Sequence, residues 1–388
     1  MRFRKPNKNT VYLWVTSAFL LVLLSQCSLL VNLKQLSQFQ NSGYFPQDTC
    51  SGAWLEYAGE YPVVHLSGSP REMGTQYGTL LKPQLRSLFS IFEKVFSEKQ
   101  INEYLKLASE AGPSLPGEVR DEIKAIADVS GINYDLLIAM NVGTKVDCST
   151  LAANGDATPD GKLIMGRNAD YKTKGLNRVL GLIVVRHPEH GLKTAMVSYI
   201  GLVGGFSGIN EKGVSFGNML SYNGKDSLEN VKGLPVQLLL RLAGEASSNS
   251  EEFIDYLSGK EFMISNIVMV ADSEKALISE HSQTDSDVRE SDRGILASTN
   301  FFHSSRLASN IKPDNRFSII MDEVRKNYGN ISVEQMKSIM YKARKKKHRN
   351  VQCLVIEPSE MLLHVCINKI PASKGPFTTI DARKLFEQ

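Results

Sequence analysis

The chain is poor in the residues that most quickly settle a fold. It has five cysteines in 388 residues, at positions 27, 50, 148, 353 and 366. They are too few and too scattered for a disulfide scaffold, and no C-x-x-C pair provides zinc or redox spacing. None of the seven histidines has a convincing partner spacing. His187 and His190 share a Pro-Glu turn that reads as a surface loop, so no metal and no cofactor is expected. Net charge is only +4, which gives no electrostatic reason to expect nucleic acid as a partner. The one dense basic run, 344–349, reads as a solvated face between a helix and a strand. There is no internal repeat and no low-complexity tract.

An apolar content of 42% and a charged content of 22% are those of a globular protein. The length allows one large core or two smaller ones. Arg2, Arg4, Lys5 and Lys8 precede an uncharged stretch from 9 to 33 that is long enough to span a bilayer. Basic residues ahead of an apolar segment mark a signal peptide or a membrane anchor. Cys27, in Leu24-Ser25-Gln26-Cys27, faintly resembles a lipidation site. On each reading the bulk of the chain is exported: periplasmic, extracellular or lumenal. Residues 34–60 are polar and irregular and read as a linker and lead-in.

Beyond them the texture is helical up to about 145. A strand at 61–66 leads into a helix from 71, with apolar residues at three- and four-residue steps. Pro113 and Pro116 interrupt it, and helices resume at 118–129 and 134–142. After 147 the chain turns β-rich, with strands expected at 181–187, 194–200, 214–219, 264–271, 276–281, 294–298, 351–356 and 361–367. Helices are expected at 235–246, 251–257, 316–328 and 333–344, the last capped by Ser332. Strands, then helices, then strands, without regular alternation, argue an α+β fold with antiparallel sheets. Cys353 and Cys366 flank a hairpin-like turn; a disulfide in an exported protein and a pair of reduced core thiols both fit. Asn330-Ile331-Ser332 is a glycosylation sequon that matters only in a eukaryotic secretory pathway.

The most informative stretch is 147–171. Cys148 opens a strand, Thr158-Pro159-Asp160-Gly161 turns it, and a second strand ends in Gly166-Arg167-Asn168-Ala169-Asp170. As a hairpin it returns Arg167 and Asp170 toward Cys148. A thiol beside a guanidinium and a carboxylate suits an activated nucleophile. A buried cysteine beside an ordinary ion pair fits the same spacing.

Other motifs accompany it. Gly68-Ser69-Pro70-Arg71-Glu72-Met73-Gly74-Thr75-Gln76-Tyr77-Gly78, Cys148-Ser149-Thr150, Gly208-Ile209-Asn210-Glu211-Lys212-Gly213 and Ser298-Thr299-Asn300 occur in order around the hairpin. Together, over roughly 63–380, they resemble the self-processing acyltransferase and peptidase family typified by fungal penicillin acyl-coenzyme-A acyltransferase. That family lies among the N-terminal-nucleophile hydrolases; bile-salt hydrolases, penicillin V acylases and acid ceramidases are more distant relatives. The resemblance implies a four-layer αββα sandwich. It also implies an inactive precursor that cuts itself between Asp147 and Cys148, so that a helical half, 61–147, and a β-rich half, 148–388, remain together in one globular unit. Many relatives have Gly where this chain has Asp147, and a His where it has Phe301.

By the same resemblance, the freed Cys148 supplies both nucleophile and base. An α-amine titrates at roughly 7.7–8.0 and accepts a proton near neutrality. Arg167 would favour the thiolate, Asp170 would orient the amine, and Asn300 and Asn218 would serve the oxyanion. Arg316 fits the late arginine of the relatives' sites; an ordinary helix-start residue fits it as well. The implied activity is a cysteine amidohydrolase or acyltransferase on small N-acyl amides through a thioester, with water as the default acceptor. A non-catalytic binding relative of the same fold and a conventional cysteine peptidase without processing are the alternatives. Substrate loops are expected at 171–180, 201–207 and 220–235. Residues 201–208, with Leu202, Val203 and Phe206, read either as a Gly-rich turn or as an apolar rim for an acyl chain.

Overall fold

The computed structural model describes residues 48–143, 147–171, 180–225, 230–309, 315–346 and 349–388. The apolar segment at 9–33 and most of the loop at 171–180 lie outside them. Among the described residues no helix is long and apolar enough to cross a membrane.

The described residues open with three strands, β1 (Asp48–Cys50), β2 (Ala53–Ala58) and β3 (Tyr61–Gly68). Helices α1 (Pro70–Leu80), α2 (Lys82–Val95), α3 (Glu98–Ala111), α4 (Gly117–Ser130) and α5 (Tyr134–Val142) follow. Ser69 and Glu72 form a capping box at the start of α1, with Pro70 in its first turn, which satisfies amide groups the helix would leave unpaired. The glycines of the opening motif serve packing. A Cβ at Gly74 would lie 2.3 Å from the Glu122 carbonyl oxygen, and one at Gly78 would lie 3.0 Å from that of Ile126. Only glycine lets α1 and α4 approach this closely.

The second half begins with the hairpin β4 (Asp147–Gly155) and β5 (Gly161–Asp170), then β6 (Gly181–Pro188), β7 (Thr194–Tyr199), β8 (Ser207–Asn210) and β9 (Ser215–Leu220). Helices α6 (Val236–Ala246) and α7 (Ser250–Ser258) precede β10 (Asn266–Ala271), β11 (Ala276–His281), β12 (Ser286–Glu290) and β13 (Ile295–Ser298). Helices α8 (Asn315–Asn327) and α9 (Val333–Ala343) lead to β14 (Asn350–Glu357), β15 (Leu362–Ile367), β16 (Thr378–Asp381) and α10 (Ala382–Phe386). Ser332 caps α9, as expected.

Two sheets result. One runs β1-β2-β3-β6-β7-β8-β9-β10-β11-β12 and the other β13-β4-β5-β14-β15-β16. Between them, Ile183, Val185 and Val197 of the first sheet pack on Leu354, Ile356 and Val365 of the second. On the far side of the smaller sheet, Ile320, Ile339 and Met340 of α8 and α9 cover Leu151 and Val355. On the far side of the larger, Leu239, Ala243 and Phe253 of α6 and α7 cover Phe216, Val268 and Val270. Each such Val, Leu, Ile, Met or Phe side chain contributes roughly 1.5–3 kcal/mol by burial. The layers are therefore α, β, β, α, as the resemblance implies. The five N-terminal helices add to the larger sheet's outer side, where Met73, Tyr77 and Ile126 pack with Leu66 and Val184.

Three expectations are corrected. Residues 48–58 are not irregular: β1 and β2 extend the larger sheet, and Trp54 stacks on His65 across the β2–β3 pair with ring centroids 4.2 Å apart. The larger sheet is not wholly antiparallel, because β3 and β6 pair in parallel. Residues 201–208 are not an apolar rim. Leu202, Val203 and Phe206 are buried in the core, and Asn141 ties the segment down through Gly201 O and Val203 N at 2.9 Å each. Cys353 and Cys366 face each other across β14 and β15, and both are free and buried.

The two sides of residue 147 share this core closely. A buried ionic cluster spans them: Glu122 of α4 meets Arg186 of β6 at 2.6 Å and Arg241 of α6 at 2.7 Å. Glu245 completes it, meeting Arg186 at 2.7 Å and Arg241 at 3.1 Å. Two acids balance two bases, as burial of charge requires.

Candidate active site

The β4–β5 hairpin forms as expected, with Cys148 opposite Ala169 and Thr150 opposite Arg167. Strand alternation then decides which side chains meet. Cys148, Thr150 and Arg167 point between the sheets, where Thr150 Oγ1 contacts Met269 of β10 at 3.0 Å. Asn168 and Asp170 point the other way, toward α8 and α9; Asn168 Nδ2 donates to the Met340 carbonyl at 2.7 Å. Arg167 and Asp170 are thus not an ion pair with each other.

Arg167 is fully buried. Its Nη2 lies 3.0 Å from the Cys148 Sγ and 2.8 Å from the Asn218 carbonyl oxygen, and its Nη1 donates to Gln352 Oε1 at 2.8 Å. Among the described residues no carboxylate pairs with it. Gly217 makes its room: a Cβ there would stand 2.5 Å from Arg167 Cδ. Burial pushes the Cys148 thiol up to about 12, against the pull of Arg167.

The backbone of Cys148 is gripped as firmly as its side chain. Its N–H donates to Asn300 Oδ1 at 2.9 Å. Its carbonyl accepts from Arg316 Nη1 at 2.9 Å; the same nitrogen meets Asp170 Oδ2 at 3.1 Å, and Arg316 Nη2 meets Asn300 Oδ1 at 2.5 Å. Arg316 therefore ties Cys148, Asp170 and Asn300 together from the first turn of α8 and is not a mere helix-start residue. Asn350 Nδ2 also holds Asp170, at 3.0 Å. Burial pushes the Asp170 carboxyl up, while Arg316, Asn350 and the Lys345 backbone N–H pull it down.

All six expected residues, Cys148, Arg167, Asp170, Asn218, Asn300 and Arg316, meet here. Their contacts differ in detail from expectation. Asn300, expected as an oxyanion donor, accepts from the Cys148 N–H, and it is not Asp170 that does so. Each of the two asparagines spends one amide proton within the protein, Asn218 on Asn266 Oδ1 at 3.1 Å and Asn300 on Leu220 O at 2.6 Å, and each amide carries a second. Gln352, Asn350 and Gly217 were not foreseen, because a long-range partner in a strand leaves no local signal. Glu280 was also missed. It is buried and accepts from the backbone of His303 and Ser304 at about 3 Å, holding the turn that follows Asn300. The G-x-N-E-x-G motif is structural: Asn210 Oδ1 accepts from Lys212 N and Val214 N at 3.0 Å each, closing the β8–β9 turn.

The family model for acyl-coenzyme A:6-aminopenicillanic acid acyl-transferase matches residues 157–368, more than half of the chain. The chain belongs to this family. Among curated proteins, an uncharacterized protein of Archaeoglobus fulgidus is 26% identical over 250 residues, 55% of this chain and 41% of that protein. The dcd1B protein of Dictyostelium discoideum is 28% identical over 211 residues, 46% of this chain and 41% of its own. The chain thus spans less than half the length of these relatives. Among solved structures, a Caenorhabditis elegans N-acylethanolamine-hydrolyzing acid amidase ortholog aligns with a TM-score of 0.45 at 16% identity, covering 54% of this chain and 93% of that one. Penicillin V acylase of Agrobacterium tumefaciens aligns with a TM-score of 0.42 at 13% identity, over 57% and 83%. The four-layer arrangement of this acyltransferase-family member rests on its own packing.

Proposed function

We propose that this acyltransferase-family member is a self-processing cysteine amidohydrolase or acyltransferase acting on N-acyl amides. The observation that carries the reading is a buried guanidinium, Arg167, set 3.0 Å from the Cys148 sulfur with no carboxylate paired to it among the described residues. A buried unpaired cation is costly; a thiolate at Cys148 is the counter-ion the geometry offers.

The first reaction is on the chain itself. The Cys148 sulfur adds to the Asp147 carbonyl carbon, the C–N bond breaks, and the thiol proton ends on the departing Cys148 nitrogen. Water then cleaves the thioester, leaving a carboxylate at Asp147 and a free thiol and α-amine at Cys148. In the uncut chain burial keeps the thiol protonated. Cutting adds an amine that can take its proton near pH 7–8. In turnover, Sγ attacks the amide carbonyl, the amine leaves with the proton taken from the thiol, and the acyl group passes to water or a second amine. Asn218 and Asn300 stand within the constellation that would receive the oxyanion; loss of one such donor raises the barrier by about 3 kcal/mol. The helical and β-rich pieces would stay together through the shared core and the Glu122 cluster.

A panel of N-acyl amides tests the activity. Release of free amine by wild type and its loss in Cys148→Ala is the expected result. Undiminished release by Cys148→Ala overturns the nucleophile assignment.

A further inference from the structure

Asp147 heads β4 directly opposite Asp170. Like charges placed across a strand pair repel, so each carboxylate needs its own partners. Asp170 has Arg316 and Asn350. Asp147 has a separate pair. Lys345 Nζ lies 2.6 Å from its Oδ2, and the Tyr222 hydroxyl donates to its Oδ1 at 2.5 Å. Lys345 comes from the basic run expected to be a solvated face, yet its side chain is only 27% exposed, and its backbone N–H also serves Asp170. Among the described residues Tyr222 is one of the few large hydrophobic side chains that are exposed, at 63%. It lies just beyond β9, the strand whose Asn218 carbonyl holds Arg167. Its backbone N–H donates to the Asn300 carbonyl at 3.0 Å. Both groups that grip Asp147 are therefore anchored to residues of the site itself.

We infer that Lys345 and Tyr222 form a carboxylate-binding site for Asp147 and are positioning residues for self-cleavage. The inference rests on the proposed cut between 147 and 148. Fixing both carboxylate oxygens of Asp147 restricts rotation of the residue whose carbonyl is attacked, while Asn300 and Arg316 fix the Cys148 side of the same bond. Holding both sides of a reacting bond is a large part of what positioning contributes. The site is specific for a short acid: a neutral amide cannot pair with the ammonium, and one more methylene displaces the carboxylate.

The test is the rate at which freshly refolded full-length precursor is cut, followed by intact mass. Lys345→Met, Tyr222→Phe and Asp147→Asn should each cut at least about tenfold more slowly, with wild-type thermal midpoints. Lys345→Arg should restore most of the rate. The double variant Asp147→Asn/Lys345→Met should be no slower than the slower single variant, because the two changes remove one interaction. Equal rates in wild type and the three single variants overturn the inference, as do fully multiplicative effects in the double variant. A wild-type chain that never cuts overturns the proposed function instead.

Discussion

Arg167 does what no local pattern announces: it spans the two sheets, from β5 to the Asn218 carbonyl of β9, and touches Sγ on the way. Its space depends on the absence of a side chain at 217. Gly217→Ala would put a methyl 2.5 Å from Cδ and 3.1 Å from Nε of a residue with nowhere to move. We expect a loss of about 1–3 kcal/mol in stability, read from denaturant unfolding, and a markedly slower cut. Full cutting at the wild-type rate would show that Arg167 need not sit where it does. The site residues were legible because Cys148, Arg167, Asp170, Asn300 and Arg316 lie in short motifs or at element ends. Tyr222 and Lys345 were not, since each acts through a contact with Asp147 some 75 or more positions away in the chain.

At the scale of elements, the hairpin and most strands were readable from alternation and turn residues, and Ser332 from its capping context. Of the strands that escaped, β1, β12 and β16 lie at sheet edges and β2 next to one, where half-exposed faces weaken the apolar pattern; β8, four buried residues inside the larger sheet, is too short and too rich in small residues to separate from the turn it enters. The parallel β3–β6 pair was invisible for another reason: its partners are separated by five helices and a hairpin. That pair and the Glu122 cluster join the two sides of residue 147 alongside their shared core. Glu122→Ala would leave Arg186 and Arg241 sharing Glu245 alone. The expected cost is about 3–5 kcal/mol, and the helical and β-rich pieces of the cut protein should separate on size-exclusion chromatography under conditions where wild type stays whole. Co-elution at wild-type stability would remove the cluster from the account.

At the scale of the whole molecule, one buried and two half-buried histidines set a pH dependence. Burial lowers His281 to about 3, His187 to about 4 and His303 to about 4, with Arg289 adding to the effect on His303. Unfolded histidine titrates near 6.5. As pH falls below that value the unfolded chain binds protons that the folded chain does not, so stability present above about 6.5 is lost progressively toward 4. The thermal midpoint should be lower at pH 5 than at pH 7.5; an equal or higher midpoint at pH 5 would contradict this.

The central claim concerns one peptide bond and one thiol. Intact mass and N-terminal sequencing of purified wild type and Cys148→Ala test it most directly. The account predicts two fragments from wild type, the second beginning Cys148-Ser149-Thr150, and one uncut chain from the variant. An uncut wild-type chain that releases amine from N-acyl amides would contradict it.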